Sequence, residues 1–546
     1  MMDNMTAETK TIDIAKKVLV IGGGLVGMQT AKAIADQGYP VLLAAAGEAV
    51  GLDAESLPLA GSDPSQLKTL MEQAKTSDRI EILTQTELAG AAGMPGDFKV
   101  WLETREDVTE KQVGAIVVAG DVAVRPLNDA YGLALGDNVV SQSEIESLLL
   151  ADTGKMAGKT VAFLSGLAQP GNPLNMERLF RSVLALTGVK DCTAYVYVGD
   201  LKVASDELER LYLQTRDKGA LYFKLKQAPA VSQENGNLSI TYSDPVILKE
   251  VQVQPDMIVV DEAIEAGAGY PDLAEMLHID LSPSGFLQTD NVHRYPVATN
   301  REGIYVVGGG REIRNLNGAW MDAQNTALQI KNLLGDGDRQ VSTATKLDAG
   351  KCTFCLTCYR CCPHGAIYWE NESNTIISPT ACQSCGICAS ECPMDAIQIG
   401  NFSDAEMKDR IKSGAAQDTQ APRIVAFCCQ NSALEAGRMA QDFKMTLPAG
   451  LQMVQVPCAG KVDLDYILTA FVEGADGVLV LACHPGNCKS ERGNTYAGWR
   501  VKEAQRMLTE IGIGADKLRF VTLAANMGSD FARIANEMAA HLKAQS

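Results

Sequence analysis

The chain has 546 residues, 46% of them hydrophobic and 21% charged, with a formal net charge of −19. This length exceeds one ordinary core, so three or four domains are expected, and the composition is globular rather than disordered. The acidic balance excludes a general nucleic-acid binder, which needs basic surface to meet phosphates.

The first fifteen residues lack a basic start followed by an apolar run, and no stretch of about 18 uninterrupted apolar residues occurs. Neither a secretory signal nor a membrane span is expected. The expected location is cytoplasmic, with any membrane association made through partner chains. Fifteen cysteines are present, and only Cys192 precedes residue 350. Clustering of this kind in a large chain reads as metal binding in a reducing compartment, and Cys192 as a small buried hydrophobe.

In chain order, Lys17-Val18-Leu19-Val20-Ile21 predicts a strand that runs into Gly22-Gly23-Gly24-Leu25-Val26-Gly27 and then a helix to about Gln37. Val41-Leu42-Leu43 is the next strand. Gly22, Gly24 and Gly27 serve the tight turn, the approach of a pyrophosphate and the packing of helix on strand, respectively. The helix N-terminus offers unpaired N–H groups to phosphates. A ribose-binding acid is expected after the second strand, but Ala44-Ala45-Ala46 stands there and Glu48 comes late.

Further strands are predicted at 115–119, 160–164, 193–198, 257–260 and 303–307, with helices at 175–186 and 207–218. Such alternation gives parallel sheets covered by helices. The segment from Gly303 to Gly308-Gly309-Gly310 reads as the late strand of a two-dinucleotide flavoprotein, with Gly309 where many carry an aspartate for the ribityl chain. Leu164-Ser165-Gly166-Leu167-Ala168 is a poor phosphate loop, which disfavours direct NAD(P)H oxidation. Trp320 and Met321, on the helix after Gly310, are read as core residues or as neighbours of a flavin ring. The stretches 335–350 and 403–422 read as linkers, the second with room for a short helix.

The strongest signal is Cys352-x2-Cys355-x2-Cys358-x3-Cys362-Pro363, repeated thirty residues later as Cys382-x2-Cys385-x2-Cys388-x3-Cys392-Pro393. Pro363/Pro393, Ala366/Ala396 and Ile367/Ile397 repeat with it, so the segment is an internal duplication. Each run aims three thiolates at one cubane, and its final cysteine serves the other cluster. One [4Fe–4S] cluster then takes Cys352, Cys355, Cys358 and Cys392; the other takes Cys382, Cys385, Cys388 and Cys362. Cys361 is left over. A zinc site, which favours two separated pairs of ligands, is the bland alternative. Residues 351–400 resemble bacterial two-cluster ferredoxins. His364 and His484 stand beside cluster cysteines, either as solvent-facing turn residues or as groups that tune a potential.

After Pro422 a small α/β segment places Cys428, Cys429, Cys458, Cys483 and Cys488 at strand ends and turns, where open α/β sheets gather ligands. Four thiolates suffice for a [2Fe–2S] cluster; a structural zinc site or free thiols are the alternatives. Cys428-Cys429, Cys458-Ala459-Gly460, Gly474-Ala475-Asp476-Gly477-Val478 and Cys483-His484-Pro485-Gly486-Asn487-Cys488 resemble the delta subunit of methyl-viologen-reducing hydrogenase. That resemblance implies a [2Fe–2S] cluster on Cys429, Cys458, Cys483 and Cys488, with Cys428 open as a substitute for Cys429. It also implies electrons arriving from a docked dehydrogenase.

The stretch 17–334 resembles the A subunit of heterodisulfide reductase, through 22–27, 38–41, 197–200, 207–219, Ser284-Gly285-Phe286 and 303–309. The resemblance implies FAD held between two dinucleotide folds. The chain departs from that family in lacking its extra N-terminal region, its cysteine-rich insert, cysteines near Asn172–Leu179 and the acidic ribose ligand. The composite plan is similar to the B subunit of the quinone-interacting oxidoreductase of sulfate reducers.

The expected fold class is α/β. A two-dinucleotide-binding-domain flavoprotein fold has its FAD-binding part at 16–155 and 295–335 and a second dinucleotide-binding-like part at 156–294. A 2[4Fe–4S] ferredoxin-like domain follows at 345–402, and a small α/β domain at 421–546. The expected function is an electron-transfer subunit of a heterodisulfide reductase-like or quinone-interacting complex. Its partners would be the B- and C-like chains of that complex, a hydrogenase or a formate dehydrogenase. A flavin-free iron–sulfur scaffold and an NAD(P)H-dependent flavoprotein are the rivals.

Overall fold

The computed structural model describes residues 9–12, 14–51, 64–105, 107–205, 207–234, 236–244, 247–288, 291–335, 339–342, 345–370, 374–414 and 421–545. The uniformly apolar strands Val18–Ile21 and Val41–Ala44 belong to the middle of a parallel sheet buried on both faces, which explains why they do not alternate. The order across that sheet is Ile304–Gly308, Ala115–Gly120, Val18–Ile21, Val41–Ala44, Ile80–Leu83. Met28, Ile34, Ile330 and Leu333, from the helices Leu25–Asp36 and Leu316–Leu334, cover one face. Phe98 and Leu102 of an antiparallel three-stranded sheet, with Leu277 of the helix Tyr270–Leu277, cover the other.

A second parallel sheet runs Val139–Ser141, Met257–Val260, Thr160–Ser165, Thr193–Val198, Leu221–Lys224. Val139–Ser141 thus pairs in this second sheet, while the helix Tyr270–Leu277 packs under the first. The chain crosses between the two through an antiparallel pair, Ala123–Pro126 with Glu262–Glu265. The helix Pro173–Leu186 begins two residues before the expected start. Asn172 caps it by accepting from the Asn175 N–H at 2.9 Å, and Pro173 occupies the first turn.

The cysteine duplication folds as two interlocked halves. Each half carries a short helix, Thr357–Cys361 or Ile387–Ser390, and Thr345–Leu347 pairs antiparallel with Ile397–Ile399 at the far end of the segment. The stretch read as the first linker is therefore structural, and its strand Arg339–Ser342 also pairs with Thr9–Ile12. Both strands take their hydrogen bonds from remote partners, which local composition does not reveal. The second linker holds the helix Asp404–Ser413, started by a Ser403–Glu406 capping box and anchored by buried Met407 and Ile411; 415–420 lie outside the described residues.

The last unit is a four-stranded parallel sheet in the order Leu451–Val456, Ile424–Cys429, Gly477–Ala482, Leu518–Thr522. Helices cover both faces, with Tyr466 and Val501 on one side and Ala436 and Phe531 on the other.

Candidate metal centres and nucleotide site

The two cysteine runs repeat in backbone as well as in sequence. Phe354 and Ser384 have φ of 54° and 50°, and Leu356 and Gly386 have φ of 58° and 82°. These left-handed residues curl each loop back on itself, a strained conformation at the non-glycine positions Phe354, Leu356 and Ser384. Cys352, Cys355, Cys358 and Cys392 line one small cavity, so the last cysteine of the second run lies with the first three of the other. Burial pushes the Cys358 thiol up to about 11, with Cys392, Cys355 and Cys352 adding to the rise.

The second set gathers in the same crosswise way. Burial raises the Cys385 thiol to about 12, and the sulfurs of Cys362 and Cys382 add to it. Cys388 is raised by burial, then by Cys385, Cys362 and Cys382. Backbone N–H groups of Ser384 and Ala396 donate to the Cys382 and Cys392 sulfurs at 3.4 Å each. The Cys361 thiol donates to the Cys358 carbonyl at 3.4 Å and is buried in one cluster with Cys358 and Cys388. His364 is buried too, not a solvent-facing turn residue. Among the described residues no group of three or more His, Cys, Asp or Glu converges on a single ion-sized point. Cys352, Cys355, Cys358 and Cys392 bring four thiols around the one cavity, and that number and type of donor fit a cubane.

In the C-terminal unit the strands Ile424–Cys429, Leu451–Val456 and Gly477–Ala482 end at one edge, and Cys429, Cys458, Cys483 and Cys488 meet there, each no more than 3% exposed. The Cys429 and Cys483 sulfurs are 3.6 Å apart. Cys483 is held well below the usual thiol range by hydrogen bonds from Cys429 and Cys488, and Cys458 is driven up by donating to Cys429 and Cys488 and by burial. Alternation along the strand sends Cys428 to the opposite face, where it packs with Ala433 and Phe531 and donates to the Ala426 carbonyl. Cys429, not Cys428, faces the other three thiols. Gly493 opens the next helix against the site: a Cβ there would lie 2.1 Å from the Cys458 sulfur. His484 bonds to Thr522 (3.0 Å) and Met527 (3.4 Å).

At the glycine turn, Gly22 has φ +122° and a Cβ there would meet the Ala119 carbonyl oxygen at 2.1 Å; a Cβ on Gly27 would meet the Gly22 carbonyl at 1.8 Å. Gly24 caps the helix Leu25–Asp36 with no side chain over its first N–H groups. Leu25 packs with Leu316 and Trp320, whose buried indole N–H has no partner among the described residues. Met321 is 55% exposed. These features fit a dinucleotide pyrophosphate.

The acidic contacts are a different matter. Ala45 packs on Gly23, and a Cβ at Gly309 would lie 2.9 Å from both the Gly120 oxygen and the Val122 nitrogen, so no side chain enters there. Asp322, on the following helix, accepts from the Gly308 N–H at 3.3 Å and is neutralised by Arg311 at 2.9 Å and Arg314 at 3.4 Å.

The loop after Thr160–Ser165 is already satisfied from within. The Gly166 N–H donates to Asp261 at 2.7 Å, and the Ala168 N–H to the Tyr131 hydroxyl at 3.2 Å. A phosphate would meet a carboxylate there instead of free donors, which counts against NAD(P)H.

Two further side chains, Arg500 and Ser390, were invisible in the sequence. Arg500 donates to Glu391 of the ferredoxin unit at 2.5 Å and to the Gly460 and Val462 carbonyls at 2.8 and 2.9 Å. Ser390 donates to the Lys461 carbonyl at 2.7 Å. Together they fasten the second cysteine run to the Cys458 loop, and Cys488 adds to the rise of the Cys385 thiol.

Residues 424–545 match the family described as methyl-viologen-reducing hydrogenase, delta subunit, and residues 375–398 match the 4Fe-4S binding domain family. The iron-sulfur D subunit of the F420-non-reducing hydrogenase vhu of Methanocaldococcus jannaschii is 38% identical over 122 residues, 22% of this chain and 91% of that protein. Through this C-terminal unit the chain belongs to the delta-subunit family. Over 81% of its length it is also 21% identical to the A subunit of the ferredoxin/F420H2-dependent CoB-CoM heterodisulfide reductase of Methanosarcina acetivorans. The chain spans 58% of the length of that relative. Similarity to the reductase's A chain over most of the length is thus combined with a ferredoxin unit and a delta-type domain. Among solved structures, a Lactococcus lactis thioredoxin reductase covers 58% of this chain and 99% of its own, with 17% identity and a TM-score of 0.40.

Proposed function

We propose that the chain is the electron-transfer subunit of a multi-subunit heterodisulfide reductase-like oxidoreductase. The first [4Fe–4S] cluster is held by Cys352, Cys355, Cys358 and Cys392, the second by Cys382, Cys385, Cys388 and Cys362, and a [2Fe–2S] cluster by Cys429, Cys458, Cys483 and Cys488. FAD lies on the Gly22–Gly27 turn with Gly308–Gly310 along it, and supplies exchange between paired and single electrons.

The observation that carries this reading is the fastening of two sulfur sets across one domain boundary by Arg500–Glu391 and Ser390–Lys461. Rigid, close sulfur sites suit single-electron hopping. An open cleft bordered by Phe286, Gln288, Arg311, Ile313 and Gly486 lies between the flavoprotein fold and the Cys483–Cys488 loop. It supports a flavin facing the C-terminal centre.

The catalytic chemistry belongs to partner chains: B- and C-like subunits, a hydrogenase, a formate dehydrogenase or a quinone-interacting module. Among the described residues no helix is long and apolar enough to cross a membrane, so attachment to one would run through such partners. A flavin-free relay is favoured by one observation, the closed approach at Gly309 with Ala45 in place of an acid. Anaerobic purification with iron, sulfide and flavin assays separates the two. About ten irons and one flavin per chain are expected. About ten irons without flavin selects the relay, and an iron-free chain ends both.

A further inference from the structure

Lys461 is a lysine with a side chain only 1% exposed. It lies three residues past Cys458, and its stem covers the second ferredoxin loop: a Cβ on Gly386 would fall within 3.0 Å of its Cβ, Cγ and Cδ. Gly386 lies between Cys385 and Cys388. The ammonium donates to Asp404 at 2.8 Å and to the Tyr466 hydroxyl at 2.5 Å, and Tyr466 in turn donates to Asp404. Asp404, one-third exposed, also accepts from Gln398 at 2.7 Å.

Burying an ammonium is costly, and a methionine would fill the same space without that penalty. What adjoins it is the boundary between two sulfur sets that gain negative charge when their iron is reduced.

We propose that Lys461 is the electrostatic bias of the electron path: its buried charge raises the reduction potentials of the second cubane and the binuclear centre relative to the first cubane. The inference rests on the cluster assignment proposed above. A cation in a low-dielectric region stabilises the reduced, more negative cluster, and Asp404 offsets part of that field. With Lys461 in place, an electron entering at either end would settle at the domain boundary before moving on.

The test is an anaerobic redox titration of the full chain, following the binuclear and cubane EPR signals separately. Lys461→Met removes the cation and keeps the bulk. At fixed ambient potential it is expected to lower the reduced-to-oxidised ratio of the binuclear signal and of one cubane step roughly three- to tenfold, as for one partly compensated charge at an effective dielectric near 20. The other cubane step is the internal reference. Asp404→Asn, which leaves the cation and removes its counter-charge, is expected to shift the same two ratios upward. Opposite shifts support the proposal, since a merely structural lysine would not give them. Unmoved ratios at full iron content, or equal shifts in all three centres, overturn it. Should Lys461→Met lose iron, Asp404→Asn decides alone by the same criterion. A wild-type chain without iron would instead refute the cluster assignment itself.

Discussion

The side-chain amide of Asn291 donates a 2.9 Å hydrogen bond to the backbone carbonyl of Cys488, joining residues 197 positions apart. It also reaches Glu491 at 3.2 Å, and Arg294 pairs with the same Glu491 at 3.3 Å with both side chains mostly buried. The flavoprotein fold therefore grips the loop that ends in the last of the four C-terminal thiols. Asn291→Ala is expected to cost about 1 kcal/mol. Hydrogen exchange over 484–492 should then speed up roughly fivefold, if the loop opens locally. Exchange indistinguishable from wild type would show that the contact does not hold the loop.

Neighbouring cysteines offer internal controls for the ligand assignment. Cys429→Ser should remove about two irons and the binuclear EPR signal, whereas Cys428→Ser, on the other face of the strand, should leave both. Cys362→Ser should remove about four irons, and Cys361→Ser none. A Cys428→Ser protein lacking the binuclear signal, with Cys429→Ser retaining it, would reverse the assignment.

Much of this was legible in the amino-acid sequence. The thirty-residue cysteine repeat pointed to the thiols that lie together around the first cavity, and the uniformly apolar strands to parallel sheets. The choice between Cys428 and Cys429 was not legible, since it depends on strand phase relative to two helix layers. Arg500, Lys461 and Asn291 were hidden for another reason: each acts across a domain boundary, and charge in an isolated segment looks like solvated surface. The strands of 335–350 were missed likewise, because their partners, Thr9–Ile12 and Ile397–Ile399, are distant in the chain.

The glycine turn gives a prediction separable from the iron centres. Gly22→Ala places a methyl 2.1 Å from the Ala119 carbonyl at a φ of +122°, so the turn must open. Flavin is expected to fall below about a tenth of the wild-type ratio while iron stays near ten per chain. Retained flavin at full occupancy would place the nucleotide elsewhere.

Asp261 carries a pH signature for the middle domain. It is 6% exposed, and burial raises its carboxyl to about 6 despite hydrogen bonds from Gly166 and Tyr131. Because the folded value lies above the unfolded one of about 3.9, the native state binds the proton more tightly. The penalty is absent below about pH 4 and is incurred as pH rises through the folded value, so stability falls in that direction. Relative to Asp261→Asn, the wild type should lose roughly 1 kcal/mol between about pH 5 and pH 7 and little beyond. Hydrogen exchange at Thr160–Ser165, compared between the two proteins across that range, reads the difference in the unit concerned. A constant offset would mean that the carboxylate is already ionised at pH 5 and that Gly166 and Tyr131 solvate it fully.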